Sequence, residues 1–201
     1  MCGIAGIIGN RRVNSDAVEH MNLLQEHRGP DDSGVWKSTE GNIVFGHQRL
    51  SIIDTSSAGH QPMEIDSHVI TFNGEIYNYL EIGAELKAAG VELETSSDTE
   101  VLLKAYQTWG DEALGKLNGM FAFAIYDANQ HRLFCARDRF GEKPFLFHSS
   151  DECFAFASEY KALLALNNID SAYDQDRILR FLYHPTRGLD DDIQTVFNDI
   201  K

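Results

Sequence analysis

The chain has 201 residues, 43% of them apolar and 24% charged, with a formal net charge of −14. That composition is ordinary for a globular protein and leaves room for one substantial domain. Its acidity argues against nucleic acid, where Lys and Arg must neutralise phosphates, and against an anionic membrane surface. No apolar run approaches the roughly 18–20 residues that span a bilayer.

Ile4–Ile8 reads as a short buried strand, broken by Gly9-Asn10. A helix follows over Ser15–Glu26, with Ser15 or Asp16 as its cap and Val18, Met21 and Leu24 on one face. His27-Arg28-Gly29-Pro30-Asp31-Asp32-Ser33-Gly34 has the composition of a turn-rich loop. Asn42–Leu50 and Ser67–Phe72 read as strands on either side of a loop around Gly59-His60-Gln61-Pro62. Asn73-Gly74 should end the second of these in a tight turn. Helices are expected over Tyr77–Ala89 and Thr99–Trp109, the latter capped by Ser97 or Asp98, with a short one over Asp111–Leu117. Met120–Tyr126, Arg132–Arg137, Pro144–His148 and Cys153–Ala157 form the clearest β region. Glu159–Leu166 and Asp174–His184 read as helices. Strands and helices thus come in blocks and not as βαβα units, which implies an α+β fold with antiparallel sheets. Residues 1–185 are expected to form one domain. Residues 186–201 have weak periodicity and read as a linker toward a further domain.

Cys2 is the most unusual feature. It could be a small buried residue of the first strand. Alternatively, methionine before a small residue is usually removed, which would give Cys2 both a thiol and a free α-amine. Free thiols titrate near ~8.5 and α-amines near ~7.7–8.0, so the amine could act as base for its own thiol. Position alone does not choose between these. The other two cysteines, Cys135 and Cys153, fall in apolar strands and read as inert core residues. Without a CxxC pair they suggest neither a disulfide framework nor a structural zinc site. The N-terminus lacks the basic and long apolar regions of a secretory signal, so a cytoplasmic location fits. The eight histidines form no metal spacing and no phosphate-cradling glycine loop occurs. No metal or cofactor is expected in this domain.

Eight stretches, in one order, carry a resemblance. They are Met1-Cys2-Gly3-Ile4, His27-Arg28-Gly29-Pro30-Asp31, Gly46-His47-Gln48-Arg49-Leu50-Ser51-Ile52-Ile53-Asp54 and Phe72-Asn73-Gly74-Glu75-Ile76-Tyr77-Asn78. Ser97-Asp98-Thr99-Glu100, Gly119-Met120-Phe121-Ala122-Phe123-Ala124, Arg137-Asp138-Arg139-Phe140-Gly141 and Ala157-Ser158-Glu159 complete the set. Together they resemble the glutaminase domain of class II glutamine amidotransferases, within the N-terminal nucleophile hydrolases, and most of all the N-terminal half of glutamine-dependent asparagine synthetases.

The resemblance implies a four-layer αββα sandwich of two antiparallel sheets. It implies Cys2 as nucleophile, with the Asn73 amide and Gly74 N–H as oxyanion donors. Arg49 would take the α-carboxylate of L-glutamine, and Asp98 the α-ammonium. Glu75 would be a further substrate contact, with Leu50, Ile52 and Ile53 lining the pocket. Arg28, Pro30 and Asp31 would brace the loop over the nucleophile, and Arg137-Asp138-Arg139 would form a salt-bridged turn or touch a partner domain. The ammonia would pass to a C-terminal synthetase domain in the same polypeptide that uses ATP and Mg, and whose Ser-Gly-Gly-x-Asp-Ser loop does not occur in these residues. Aspartate is the simplest acceptor, and a homo-oligomer is compatible with the sequence. The alternatives are the glutaminase half of an amino-sugar or other carboxylate-modifying amidotransferase, or a non-catalytic glutamine-binding module.

Overall fold

The computed structural model describes residues 1–183 and 195–201. β1 (Gly3–Gly9) is made only of apolar residues and glycine and sits mid-sheet. α1 (Ser15–Leu24) is capped by Asn14, whose side chain accepts from the Asp16 N–H. The cap lies one residue before the expected Ser15, because Asn14 is the last extended position (φ −73°, ψ 117°). β2 (Asp32–Lys37) begins inside the stretch read as a loop and gains its order from pairing with β3 (Ile43–Arg49). A three-residue edge strand, β4 (Met63–Ile65), was too short to signal itself, and β5 (His68–Ile76) follows.

α2 (Tyr79–Ala88) and α3 (Asp98–Trp109) come next, with Ser97 capping α3 by accepting from Thr99 N–H. After the single turn of α4 (Ala113–Lys116) come β6 (Gly119–Asp127), β7 (Arg132–Arg137), β8 (Leu146–Ser149) and β9 (Cys153–Ala157). α5 (Tyr160–Leu164) and α6 (Gln175–Tyr183) close the list of helices.

The strands form two antiparallel sheets, β2-β3-β1-β9-β8 and β4-β5-β6-β7. Three apolar clusters fill the spaces between four layers. Val18 and Met21 of α1 and Leu163 of α5 pack on Ala5, Ile7, Val44 and Ala155 of the first sheet. Leu86 of α2 and Leu102, Leu103 and Tyr106 of α3 pack on Ile70, Phe72, Phe123 and Ile125 of the second. Between the sheets lie Ile4, Phe45 and Phe156 against Val69, Ala122 and Ala124. Each strand therefore sends alternate side chains to a helix layer and to the gap between sheets, the αββα arrangement.

One expectation needs correction. Asn73-Gly74 is not a turn: both residues lie inside β5, opposite Ala122 and Phe121 of β6, and Gly74 has no positive φ. Nine consecutive pairs with β6 hold this stretch extended, so tertiary pairing overrides the local preference. Of the stretch expected as a linker, 186–201, the described end packs on the domain. Ile200 is fully buried, Phe197 packs on Tyr160, and Lys201 exchanges two 2.8 Å backbone hydrogen bonds with Phe147 of β8. The first part of that stretch, up to residue 194, lies outside the described residues, as do the last two residues of the expected domain and the end of the helix expected to reach His184.

Candidate active site

Alternation along β1 fixes where Cys2 faces. Ile4 lies in the gap between sheets and Ala5 and Ile7 face the helices, so Cys2, in step with Ile4, points into the gap at its open end. The Arg28 guanidinium donates to the Cys2 carbonyl at 2.9 Å and to Glu159 at 3.1 Å, which ties the first residues to the end of the neighbouring strand β9. The thiol donates to Leu50 O at 3.6 Å and accepts from Leu50 N–H at 3.4 Å. Burial pushes the Cys2 thiol up, while Leu50 N–H, the N-terminal charge and Arg49 oppose the shift and Asp98 adds to it. In the empty cavity the group is therefore a thiol, and a base must take its proton.

The second component is an unpaired strand edge. β4 pairs with β5 only as far as Ile70, so among the described residues no strand covers the β4-facing edge of β5 from residue 71 on. Along that edge the Phe72 N–H is accepted by Gln61 Oε1 at 2.7 Å, and the Ile76 N–H by Asp98 Oδ2 at 3.0 Å. The opposite edge is bonded to β6, and Tyr77 N–H to Asn118 O continues that odd-numbered series. In an antiparallel ladder the N–H groups alternate between edges. Gly74 N–H, midway between 72 and 76, thus faces the bare edge and has no side-chain acceptor. A Cβ at Gly74 would strike Met120 O and the Phe72 ring, which makes glycine the residue that fits here. The Asn73 side chain is 1% exposed, and its Nδ2 is buried without a partner. A buried unpaired amide costs about 1–3 kcal/mol, so Asn73 Nδ2, with the half-buried Gly74 N–H beside it, can donate to an acceptor oxygen brought into this place.

The third component is a pair of opposed charges. Arg49, the last residue of β3, is buried and donates to Ser56 O at 2.8 Å and to Asp54 O. Asp54 in turn organises that loop, accepting from the Ser56 N–H, the Ser56 hydroxyl and the Ser96 hydroxyl, which hold its carboxyl below the usual range. A Cβ at Gly59 would collide with the Arg49 guanidinium. Asp98, at the start of α3, is buried, and burial pushes its carboxyl up to about 6, with nearby Glu75 adding to the shift against the backbone N–H groups of Ile76, Asp98 and Thr99. A cation placed against it would restore the charge.

These groups line one cavity of about 160 Å³. Drug-sized sites run about 300–1,000 Å³, so this one suits a single small molecule of amino-acid size. The structure brings all nine sequence-derived candidates to it: Cys2, Arg49, Leu50, Ile52, Ile53, Asn73, Gly74, Glu75 and Asp98. Ile52 is 54% exposed and sits at the rim. Gln61, Thr99, Met120 and Lys143 also line the cavity, as does Met1, whose sulfur lies 3.2 Å from Lys143 Nζ. Sequence reasoning passed over Gln61 because a polar residue in a Gly-His-Gln-Pro loop reads as solvent-facing, whereas it is 5% exposed. Arg137 and Asp138 do not pair with each other. Arg137 donates to the Lys143 and Gly141 carbonyls, while Asp138 accepts the N–H groups of Phe121, Phe140, Glu142 and Lys143. His47 spans the gap between sheets, its Nε2 3.0 Å from Phe72 O, and burial pushes its ring down to about 4, so it is neutral and Nε2 donates.

A family model described as a glutamine amidotransferase domain matches residues 1–201. The Bacillus subtilis protein named asparagine synthetase [glutamine-hydrolyzing] 3 is 41% identical over 182 residues, covering 87% of this chain and 29% of that protein. Asparagine synthetase B [glutamine-hydrolyzing] of Escherichia coli is 38% identical over 201 residues, covering 92% of this chain and 35% of that protein. The chain thus spans about a third of the length of these curated relatives. Among solved structures, the glutamine phosphoribosylpyrophosphate amidotransferase of B. subtilis, in complex with ADP and GMP, superposes with a TM-score of 0.70. It is 22% identical, over 82% of this chain and 43% of that one, a likeness of fold. With a matching family model over its whole length and relatives near 40% identity, the chain belongs to the class II glutamine amidotransferases.

Proposed function

We propose that this domain hydrolyses the side-chain amide of L-glutamine to glutamate and ammonia, with Cys2 as the nucleophile. One observation carries the reading: the Cys2 thiol, the unpartnered Asn73 amide with Gly74 beside it, and the Arg49 and Asp98 charges share one amino-acid-sized cavity. Arg49 receives the α-carboxylate and Asp98 the α-ammonium, with Glu75 beside it, while Leu50, Ile52 and Ile53 form the wall. That leaves the γ-amide at the thiol end.

Removal of Met1 frees the Cys2 α-amine, which takes the thiol proton as the sulfur attacks the amide carbon. The carbonyl π electrons move onto oxygen, held by Asn73 Nδ2 and Gly74 N–H. The amine then passes its proton to the leaving nitrogen, and the C–N bond breaks to give ammonia and a γ-glutamyl thioester. Water, deprotonated by the same amine, adds to the thioester, and glutamate leaves with the thiol restored. The raised thiol pKa supports a separate base, and the amine supplies one without a histidine.

The relatives' names and greater length support an ammonia acceptor in the same polypeptide, an asparagine synthetase-like ligase domain that activates aspartate. ATP and Mg belong to that domain in this proposal, and no step above passes through them. The test is glutamate release from glutamine by a chain whose intact mass lacks Met1, beside a Cys2→Ala variant. Glutamate from the wild-type chain and none from C2A is the expected result. No glutamate from the processed wild-type chain would overturn the proposal, and activity surviving in C2A would move the nucleophile elsewhere.

A further inference from the structure

The bare edge of β5 is held in register by side chains where a neighbouring strand would otherwise hold it. Beyond Ile70, among the described residues, the N–H groups of Phe72 and Ile76 on this edge find side-chain acceptors, and both acceptors are linked to the first turn of α3. Asp98 accepts from Ile76 directly. Gln61 accepts from Phe72 at 2.7 Å and donates from Nε2 to Thr99 Oγ1 at 3.2 Å. Gln61 is therefore a buried bridge with its acceptor on the strand and its donor on the helix. Phe72 is gripped from the other side as well, its carbonyl accepting from His47 of the opposite sheet. Residues 73 and 74 lie between the two anchored positions, 72 and 76. They carry Asn73 Nδ2 and Gly74 N–H, and neither can shift while both anchors hold.

We propose that Gln61 is a positioning residue for the oxyanion donors: its side-chain amide, bridging Phe72 and Thr99, fixes the strand edge that aims Gly74 N–H and Asn73 Nδ2 at the place the substrate's carbonyl oxygen takes when the Cys2 sulfur attacks. The inference rests on the glutaminase reading and deepens it. Gln61 lies on the cavity wall but need not touch the substrate. Its loss should weaken the stabilisation of developing charge and leave ground-state binding by Arg49 and Asp98 intact. A misplacement of about 1 Å costs up to about 100-fold in rate, so Gln61→Met should lower kcat for glutamine hydrolysis by about 10–100-fold with KM within about twofold.

Two further affinities separate positioning from general loosening. The aldehyde analogue of glutamine adds to Cys2 as a thiohemiacetal whose oxygen occupies the oxyanion position, whereas glutamate binds without such an oxygen. In Q61M the aldehyde should bind about 10–100-fold more weakly while the Kd of glutamate stays unchanged. Thr99→Val, which removes only the acceptor for Gln61 Nε2, should give a smaller loss in the same direction and keeps the question answerable if Q61M does not fold. An unimpaired kcat in Q61M or T99V, or parallel loss of aldehyde and glutamate binding, would overturn the inference while an active wild-type chain leaves the glutaminase reading standing. A processed wild-type chain without glutaminase activity would overturn both.

Discussion

Asp98 should stabilise function at the expense of the fold, and the size of that conflict follows from its surroundings. Burial raises its carboxyl from an ordinary 3.8 to about 6, so the ionised form is disfavoured in the empty domain relative to the unfolded chain. A carboxylate with a raised folded pKa contributes stability below its unfolded pKa and loses that contribution as pH rises through the folded one. A shift of about two units corresponds to about 3 kcal/mol at 1.36 kcal/mol per unit. Asp98→Asn removes the charge but keeps an oxygen to accept from Ile76 N–H. D98N should therefore be more stable than wild type at pH 8, by up to about 3 kcal/mol. The advantage should shrink as pH falls from 6 to 4, leaving only a small remainder at pH 4, and vanish below about pH 3, where the carboxyl is protonated in both states. Urea unfolding midpoints at pH 8, 6 and 4, without glutamine, measure it. A variant less stable than wild type at pH 8, or equally stabilised at pH 4, would refute the reasoning. The same variant should lose glutamine binding, a trade familiar where active sites hold charges at a cost to the fold.

Asn73→Ala should lower kcat by about 10²–10³-fold with little change in KM, the effect of deleting one oxyanion donor. Steady-state kinetics on the processed chain check this, and an equal loss in KM would instead make Asn73 a ground-state contact. The acid side of the kcat/KM profile should fall with a pKa near 6, because only ionised Asp98 receives the α-ammonium. At pH 5 about one-tenth of the free domain is competent, so apparent affinity should drop about tenfold. A profile flat down to pH 5 would remove Asp98 from the binding step.

Much of the site is legible in the sequence because its chemistry sits in short runs. Arg49 with Leu50-Ser51-Ile52-Ile53, and Asn73-Gly74-Glu75, each occupy one segment, and the ordered motifs assign their partners. The layer order is legible only by resemblance, since period-two strands in blocks specify antiparallel sheets without saying how they stack. Gln61 and Asp54 were hidden for a physical reason. Both are polar residues in loops; a strand and a helix distant in sequence hold Gln61, through Phe72 and Thr99, and a distant loop residue, Ser96, reaches Asp54. The error at Asn73-Gly74 has the same origin: a dipeptide that favours a turn is held straight by nine partners on β6.

Chain termini ordinarily fray and tolerate fusion tags well. Here the opposite end condition holds. β1 is sandwiched between β3 and β9, and Arg28 clasps the carbonyl of the second residue. Backbone amides of Ile4 and the residues after it should thus be among the slowest in the domain to exchange with deuterium. An affinity tag added ahead of Met1 would leave through the cavity mouth itself, where Met1 already rests against Lys143. In the proposed mechanism such a tag would also keep the Cys2 α-amine in a peptide bond and remove the base.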